Sequence, residues 1–327
     1  MTLRDRYSRV IDYMRISVTD RCNLRCIYCM PDGHRPLKFK KILTYEEIIR
    51  IVRIGAELGL RKIRLTGGEP LARKNVQYLI KQIKAIPGIE DLSMTTNGVL
   101  LERYAEELRS AGLDRINVSL DSLQPDRYRE ITQGGELKNI LKGIEKAYLI
   151  GLRPLKINAV VVRGINDDEI ESFAGITIEK PFHVRFIEFM PGKTNAWSAE
   201  KCIPIQEIKE RIINSFKSLE PVRLRSNGPA RYFRIPGARG ILGFISPVTN
   251  HFCSECNRLR ITADGRVRPC LFSRTEIDLK SAMRSGATDE ELKRLLILSV
   301  EAKPEGHRIG KDGERSYISK AMSQIGG

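Results

Sequence analysis

Residues 13–29 read Tyr13-Met-Arg-Ile-Ser-Val-Thr-Asp-Arg-Cys22-Asn-Leu-Arg-Cys26-Ile-Tyr-Cys29, a short β-branched run that leads into a polar turn. The same unit recurs along the chain: a β-branched run, a turn, and then a longer amphipathic stretch. Strands are predicted over residues 13–18, 62–65, 91–95, 115–120, 155–162 and 183–189. Helices are predicted over 45–58, 75–86, 102–111, 137–150 and 169–178, with reciprocal caps at Thr44/Glu47 and Asn166/Glu169. This alternation predicts parallel strands joined by helical crossovers.

Six such units are too few to close an eight-stranded barrel. The expected fold class is therefore α/β, as an open partial (β/α)6 TIM-like barrel, with functional groups at the C-terminal ends of its strands. The segments that follow five of the strands are small, polar or glycine-rich, at residues 19–22, 66–70, 95–98, 119–121 and 188–190. Loops of this kind on one rim favour a ligand site.

The sequence changes character after about residue 218. Short strands are predicted over 222–225, 232–235 and 241–245, and a hairpin over 259–268 turns at Asp264-Gly265. Helical patterns follow at 275–284 and 289–301. The expected organisation is a partial-barrel domain over residues 1–217 and a smaller C-terminal α+β extension over residues 218–327.

Composition narrows the possible partners. With 41% hydrophobic residues in 327, the chain can bury a sizeable core, and no apolar run approaches the length of a membrane span. The N-terminus lacks an apolar signal region, which predicts a cytoplasmic protein without a membrane partner. The net charge of +16 favours anionic partners, but no nucleic-acid-binding signature accompanies it, so nucleic acid is not expected as the main partner.

The seven cysteines form two groups of three, Cys22-x3-Cys26-x2-Cys29 and Cys253-x2-Cys256-x13-Cys270, while Cys202 stands alone. An odd count argues against a disulfide framework, and the grouping favours metal ligands. Three thiolates can hold three corners of an iron–sulfur cubane and leave one iron open. Zinc is the alternative, with His34 as the nearest fourth ligand for the first group and His251 for the second.

Several motifs carry a family resemblance. The string from Cys22 to Cys29, with an aromatic residue before the last cysteine, resembles the radical S-adenosylmethionine superfamily, as does Thr66-Gly-Gly-Glu-Pro70. Residues 252–266 and 268–271 are similar to the auxiliary-cluster region of the GTP 3′,8-cyclase family of molybdenum cofactor biosynthesis. Further matching segments are residues 13–26, 115–121, 164–167, 185–190 and the terminal Ile325-Gly-Gly. The resemblance covers essentially the whole chain.

The resemblance implies a role for each matching residue. Cys22, Cys26 and Cys29 are expected to hold the [4Fe–4S] cluster that cleaves S-adenosylmethionine, and Cys253, Cys256 and Cys270 a second [4Fe–4S] cluster that ligates guanine. The expected cofactor contacts are Tyr28, Gly68, Ser119 and Met190. The expected substrate contacts are Arg15, Arg64, Thr95, Lys156, Arg258, Leu259 and Arg260, with Arg185 as a further candidate. The terminal Gly326 and Gly327 are expected to enter the active site and help start the radical step.

The implied reaction converts GTP to (8S)-3′,8-cyclo-7,8-dihydro-GTP. A 5′-deoxyadenosyl radical takes the ribose 3′ hydrogen, and the carbon radical adds to carbon 8 of guanine. Reduction and protonation complete the product. The further expected partners are an electron donor of unknown identity, a second copy of the chain and the cyclic pyranopterin monophosphate synthase.

Two other functions compete with this interpretation. One is a radical enzyme that modifies a peptide or RNA, against which Arg258-x-Arg260 and the diglycine tail argue. The other is a non-enzymatic zinc module that binds nucleic acid through its basic surface. Iron and sulfide content separates the second from the cyclase.

Overall fold

A computed structural model describes residues 2–30, 36–192, 197–224, 228–307, 309, 318, 320 and 322–325 of the chain. Its strands are β1 Tyr13–Ser17, β2 Lys62–Thr66, β3 Asp91–Thr96, β4 Arg115–Ser119, β5 Lys156–Val161, β6 His183–Glu188, β7 Glu220–Val222, β8 Arg231–Arg234, β9 Ile241–Ile245, β10 Arg258–Ile261, β11 Arg266–Arg268 and β12 Ile277–Asp278. Its helices are α1 Tyr45–Glu57, α2 Val76–Lys84, α3 Leu101–Ser110, α4 Pro125–Thr132, α5 Leu137–Leu149, α6 Ile170–Glu179, α7 Ile205–Phe216, α8 Leu279–Arg284, α9 Asp289–Glu301 and α10 Met322–Ile325. None of these described helices is long and apolar enough to cross a membrane.

All the described strands belong to one sheet, in the order β12-β11-β10-β1-β2-β3-β4-β5-β6-β9-β8-β7. Strands β1 to β6 run parallel in sequence order, joined by helical crossovers. The two ends of the strand order do not meet, so the sheet stays open. The predicted open partial (β/α)6 barrel is therefore confirmed.

The strands after residue 218 join this sheet instead of forming a layer of their own. Strand β10 pairs in parallel with β1, and β9 pairs in parallel with β6, so both edges of the six-stranded unit are continued. An unpaired parallel edge leaves a row of backbone N–H and C=O groups without partners, and these later strands satisfy them. The hairpin that turns at Asp264-Gly265 is confirmed, whereas the strand expected over 222–225 ends at Val222.

The first predicted helix cap is confirmed and the second is wrong. Thr44 Oγ1 accepts from Glu47 N at 3.2 Å, and Glu47 Oε2 accepts from Thr44 N at 2.7 Å. Asn166 makes no cap hydrogen bond. Its amide instead accepts from Val162 N at 2.8 Å and donates to the Asp121 carbonyl at 2.7 Å, which ties together the segments that follow β4 and β5.

Strand alternation separates the core from the functional face of the sheet. On β1, Met14 and Ile16 are buried in the hydrophobic core, while Arg15 between them lines a cavity on the opposite face. Strand β2 repeats this arrangement with Ile63 and Leu65 in the core. Because side chains on a strand alternate between its two faces, the apolar positions pack under the helices and the polar positions meet in the cavity.

Candidate active site

Both cysteine groups line a single cavity with a volume of ≈ 660 Å³ on the polar face of the sheet. The predicted site residues that line it are Arg15, Cys22, Cys26, Tyr28, Cys29, Arg64, Gly68, Thr95, Ser119, Lys156, Met190, Cys253, Cys256, Arg258, Arg260 and Cys270. Leu259 differs, because its side chain is fully buried in the core opposite Met14 and leaves only its backbone near the site. Gly326 and Gly327 lie outside the described residues.

The first cysteine loop rests on the glycine-rich turn that follows β2. Gly68 N donates to the Thr19 carbonyl and Glu69 N to the Arg21 carbonyl, both at 2.7 Å. A Cβ atom on Gly68 would lie 2.3 Å from the Arg21 carbonyl oxygen, which is backbone and cannot rotate away. Glycine at this position therefore follows from the close approach of two backbones. The carboxylate of Glu69 fixes the turn further, since it accepts from Asn97 N and Thr96 Oγ1 at 2.7 Å each.

The sulfurs of the first group receive hydrogen bonds from neutral amides. Cys22 Sγ accepts from Leu24 N at 3.4 Å and from Asn97 Nδ2 at 3.6 Å, and Cys29 accepts from the backbone of Ser323. Burial raises the pKa of the Cys29 thiol to about 12, with the Cys22 sulfur adding to the rise. Three thiols on one tight loop, with N–H donors on their sulfurs, suit three corners of a cubane, and metal binding would displace their protons.

Tyr28 is fixed beside this loop by a buried carboxylate. Its hydroxyl donates to Asp121 Oδ2 at 2.5 Å, and Asp121 Oδ1 accepts from Val160 N at 2.8 Å. Burial raises the pKa of Asp121 to about 6. A side pocket of ≈ 100 Å³ opens next to Tyr28 and Asp121, with Ile131 and Val162 in its wall. An aromatic ring held over a small apolar pocket can pack against a planar base.

The second cysteine group has more polar surroundings. Cys253 accepts from the backbone of His307, and Cys256 accepts from the side chain of Lys303 and the backbone of Arg258. Burial on its own would raise the pKa of the Cys256 thiol, but the charges of Arg258 and Lys303 outweigh it and lower the pKa to about 6. Two of these three sulfurs thus have hydrogen-bond donors in place, as the ligands of an iron–sulfur cluster require.

The zinc alternative depends on His251 as the fourth ligand of the second group. Nδ1 of His251 lies 3.0 Å from the Pro247 carbonyl oxygen, and its ring packs edge-on against His307. A hydrogen bond from a ring nitrogen to a carbonyl also orients metal-bound histidines, so iron and sulfide content, not this contact, separates zinc from an iron–sulfur cluster. His34, the fourth ligand considered for the first group, lies outside the described residues.

Arginines form a row across the sheet between the two cysteine groups. Strand pairing places Arg260 opposite Arg15, Arg15 opposite Arg64, Arg64 opposite Ser93, and Ser93 opposite Arg115. Paired residues on neighbouring strands share a face, so all these side chains approach the cavity from one side. Arg64 Nε donates to Ser93 Oγ at 3.2 Å.

A second row lies two residues further along the strands, with Thr95, Asn117, Lys156 and His183 opposite one another. Asn117, with its amide oriented to satisfy both donors, accepts from Arg185 Nη2 at 2.7 Å and from Arg64 Nη1. Burial, followed by the charges of Arg185, Arg115 and Arg64, lowers the pKa of Lys156 to about 6. Burial and the Lys156 charge lower that of His183 to about 3.

The charge balance of the cavity identifies the kind of ligand. Among the described residues, nine lysines and arginines line it against the two carboxylates of Asp91 and Asp121. Several buried side-chain atoms of its lining residues have no hydrogen-bond partner in the structure, namely Tyr13 Oη, Thr95 Oγ1, His183 Nδ1, Asn257 Oδ1 and Ser323 Oγ. Buried cations and unpaired polar atoms are costly without partners, so the cavity suits a polyanion that also accepts and donates hydrogen bonds.

Sequence reasoning missed several residues of this site. Arg115, Asn117 and His183 reach it through strand register, and Tyr13 through its position two residues before Arg15 on β1. Arg115 carries a usable signal, because it begins a predicted strand within a segment that matches the family. Lys303 carries none, since it follows a helix far from any motif.

Comparison with known proteins identifies the family. The sequence profile of the Radical SAM superfamily matches residues 16–175, and that of Molybdenum Cofactor Synthesis C matches residues 182–309. The GTP 3′,8-cyclase of Thermodesulfovibrio yellowstonii is 51% identical over 327 residues, covering 99% of this chain and 100% of the relative. The GTP 3′,8-cyclase of Alkaliphilus metalliredigens is 48% identical with the same coverage.

A solved structure shares the fold. Streptococcus suis SuiB bound to S-adenosylmethionine superposes with a TM-score of 0.66 at 14% identity, covering 97% of this chain and 79% of that one. Full-length identity of about one half to curated cyclases, two matching profiles and a cavity lined by both cysteine groups agree with one another. The chain belongs to the GTP 3′,8-cyclase family of the radical S-adenosylmethionine superfamily.

Proposed function

We propose that the cavity between the two cysteine groups is where this enzyme converts GTP to (8S)-3′,8-cyclo-7,8-dihydroguanosine 5′-triphosphate, the first step of molybdenum cofactor biosynthesis. Two cysteine triplets that face one cavity of ≈ 660 Å³, with buried cations between them, carry the proposal. Membership of the family brings S-adenosylmethionine and [4Fe–4S] clusters as cofactors and GTP as substrate.

The first triplet is proposed to serve S-adenosylmethionine. Cys22, Cys26 and Cys29 would hold the [4Fe–4S] cluster, which would supply the electron for reductive cleavage of S-adenosylmethionine. Gly68 lines the cavity at the glycine-rich turn, where its backbone is proposed to contact the cofactor's methionine end, and Tyr28 offers a ring for adenine. Ser119 and Met190 line the same cavity and complete the proposed cofactor contacts.

The rows of cations are proposed to hold the triphosphate. Arg15, Arg64 and Arg260 lie side by side on β1, β2 and β10, so their guanidinium groups can share the phosphate oxygens in paired hydrogen bonds. Lys156 adds an ammonium from the second row, and Thr95 offers a hydroxyl that is buried without a partner.

The other end of the nucleotide lies near the second cysteine group. Arg258, whose guanidinium lies 4.8 Å from the ring centre of Phe252, approaches this end together with the backbone of Leu259. Cys253, Cys256 and Cys270 are proposed to hold the cluster that receives the guanine. Substrate anchored at both ends brings the ribose toward the first triplet, and this positioning is the protein's share of the catalysis.

The diglycine tail is proposed to reach the first cysteine group. Helix α10 ends at Ile325, one residue before Gly326, and both Met322 and Ser323 line the cavity. The backbone of Ser323 donates to Cys29, and the Ser323 carbonyl lies 3.5 Å from Ser17 Oγ. Two further residues span at most about 7 Å, so a tail anchored here stays close to the cofactor site.

Of the remaining proposed partners, charge supports the electron donor. A net charge of +16 favours an acidic electron donor, because complementary charge speeds encounter between proteins. A second copy of this chain and the cyclic pyranopterin monophosphate synthase complete the proposed set.

Anaerobic turnover tests the function. The reconstituted chain, incubated with GTP, S-adenosylmethionine and dithionite, is expected to yield 5′-deoxyadenosine and the cyclised nucleotide, and to contain about eight irons with matching sulfide. The Cys256→Ala variant is expected to keep the four irons of the first cluster and to lose cyclisation.

Cys202→Ala is the matched control. This cysteine is buried and does not line the cavity, so its variant should keep both clusters and full activity. Zinc without sulfide in the wild-type chain, or absence of 5′-deoxyadenosine with both clusters present, would refute the proposal.

A further inference from the structure

Lys303 lies behind the second cysteine group, two residues after the end of α9. Its side chain is buried, with 3% of the residue exposed. Nζ donates to the Arg258 carbonyl at 2.9 Å and to the Pro269 carbonyl at 2.7 Å. The ammonium also donates to the sulfur of Cys256. Its three N–H groups thus bind the Cys256 sulfur and two backbone carbonyls. One carbonyl lies two residues after Cys256, and the other directly precedes Cys270.

The rest of this short segment holds the third ligand. The backbone N–H of His307 donates to Cys253 Sγ. Arg9, paired with Asp5, donates to the Cys253 carbonyl at 2.6 Å and to the Glu305 carbonyl at 2.7 Å. Residues 303–307 therefore contact the surroundings of all three cysteines, and Lys303 supplies the positive charge among them.

The two cysteine groups differ in the charge of their donors. The sulfurs of the first group accept from the neutral amides of Leu24, Asn97 and Ser323 in the described residues. A cubane bound by three thiolates is anionic, and reduction adds a further negative charge. A buried ammonium hydrogen-bonded to a ligand sulfur stabilises the reduced form more than the oxidised form, and so raises the reduction potential.

We propose that Lys303 is a positioning residue of the second cluster, which holds its ligand segments together and raises its reduction potential through the hydrogen bond to Cys256. This inference rests on the proposed second cluster. It adds Lys303, to which no sequence motif points. It also assigns the second cluster a raised reduction potential, which suits an iron that accepts an electron pair from a bound base.

A redox titration followed by electron paramagnetic resonance tests the inference on the reconstituted chain. In Lys303→Met the potential of the second cluster is expected to fall, with at least a tenfold loss in the ratio of reduced to oxidised cluster at a fixed potential, or ~59 mV for one electron. The potential of the first cluster serves as an internal reference and should not move. Lys303→Arg, which keeps the charge, should recover most of the shift.

Lys293→Met is the matched control, because Lys293 lies on α9, the helix that precedes Lys303, and pairs with Glu57 and Glu290 at the surface. It should leave both potentials unchanged. Selective loss of the second cluster in Lys303→Met, with four irons left, would also support the holding role. An unchanged second potential with about eight irons, or loss of both clusters, would overturn the inference. A wild-type chain with only about four irons would instead overturn the proposed second cluster itself.

Discussion

Lys156 lies among positive neighbours on the cavity face of β5, and its protonation should follow the presence of substrate. Burial and the charges of Arg185, Arg115 and Arg64 hold its pKa at about 6, so the free enzyme carries it mostly neutral at pH 7.5. A bound triphosphate reverses the local charge and raises this pKa. GTP binding at pH 7.5 should therefore take up about one proton at this side chain, and the uptake should vanish below about pH 5, where the free amine is already protonated.

Calorimetry in buffers of different ionisation enthalpy measures this uptake. Lys156→Met should reduce it by up to about one proton at pH 7.5 and leave it unchanged near pH 5. Lys142→Met, on the exposed face of α5, is the control and should match the wild type. Equal proton uptake by Lys156→Met and the wild type at pH 7.5 would contradict the assigned protonation.

Among single residues of the site, the sequence predicted those that lie in local motifs. The six clustered cysteines, Gly68 and the arginines beside the second triplet could all be found, because their spacing or surroundings are distinctive. Asn117 and His183 could not, since nothing in their neighbourhoods shows which strand positions lie opposite each other. Strand register is a property of pairs of distant segments, and a single sequence does not specify it directly.

Helix α9 connects surface capping to the second cysteine group. Thr288 Oγ1 accepts from Glu291 N at 3.3 Å, and Glu291 Oε2 accepts from Thr288 N at 2.7 Å, while Leu292, Leu296 and Val300 pack into the core. Removal of an N-cap costs about 1 kcal/mol. In Thr288→Ala, amide hydrogen exchange across α9 should therefore speed up about fivefold where local opening governs it.

Mass spectrometry of exchanged peptides over residues 289–301 makes the measurement. Thr288→Ser keeps the hydroxyl and should behave as the wild type. Peptides from α5 should be unaffected in both variants, because α5 packs against α3 and α4, whereas α9 packs against α1, α8 and β11. Exchange in Thr288→Ala indistinguishable from that of the serine variant would show that packing alone holds this helix.

Most elements could be predicted because they carry clear start signals or strong periodicity, as α1 and α9 do. Helices α4 and α7 were not predicted. Both begin without a side-chain cap, after Gln124 and Pro204 respectively. Helix α4 does begin with Pro125, a start signal that the prediction missed. Asn166 gave a false signal, because its side chain serves the loops after β4 and β5 instead of a helix end.

The whole molecule depends on its C-terminal third for both edges of the parallel sheet. A fragment of residues 1–217, the proposed first domain, would leave β1 without β10 and β6 without β9. Exposed parallel edges and the apolar surface behind them favour association. We expect this fragment to aggregate and to bind a hydrophobic dye strongly, while the full chain purified in the same way does neither.

Size-exclusion chromatography and dye fluorescence show whether fragment 1–217 aggregates and exposes apolar surface. A fragment 1–217 that elutes as a compact monomer with a cooperative thermal transition would show that the six-stranded unit is self-sufficient. The boundary predicted at residue 218 would then also mark a limit of folding.

At the scale of the fold, alternating strands and helices predicted the parallel unit and its open form. The pairing of β10 with β1 joins residues that are more than two hundred positions apart, and no local pattern reports it. The place of the short strands after residue 218 in the sheet could not be predicted for the same reason, since their partners lie on opposite edges of the sheet.

The neighbourhood of β1 and β10 also sets an order of events during synthesis. The strand that leads into the first cysteine loop leaves the ribosome early, whereas its neighbour β10 and the Ser323 backbone that contacts Cys29 arrive near the end. At 5–20 residues per second the interval is on the order of tens of seconds. The nascent chain thus carries reactive thiols long before the walls that shield them exist. Iron and sulfide are consequently expected to be delivered after the finished polypeptide is released. Until then the first cysteine loop is unshielded, so its thiols should be most sensitive to oxygen during synthesis of the rest of the chain.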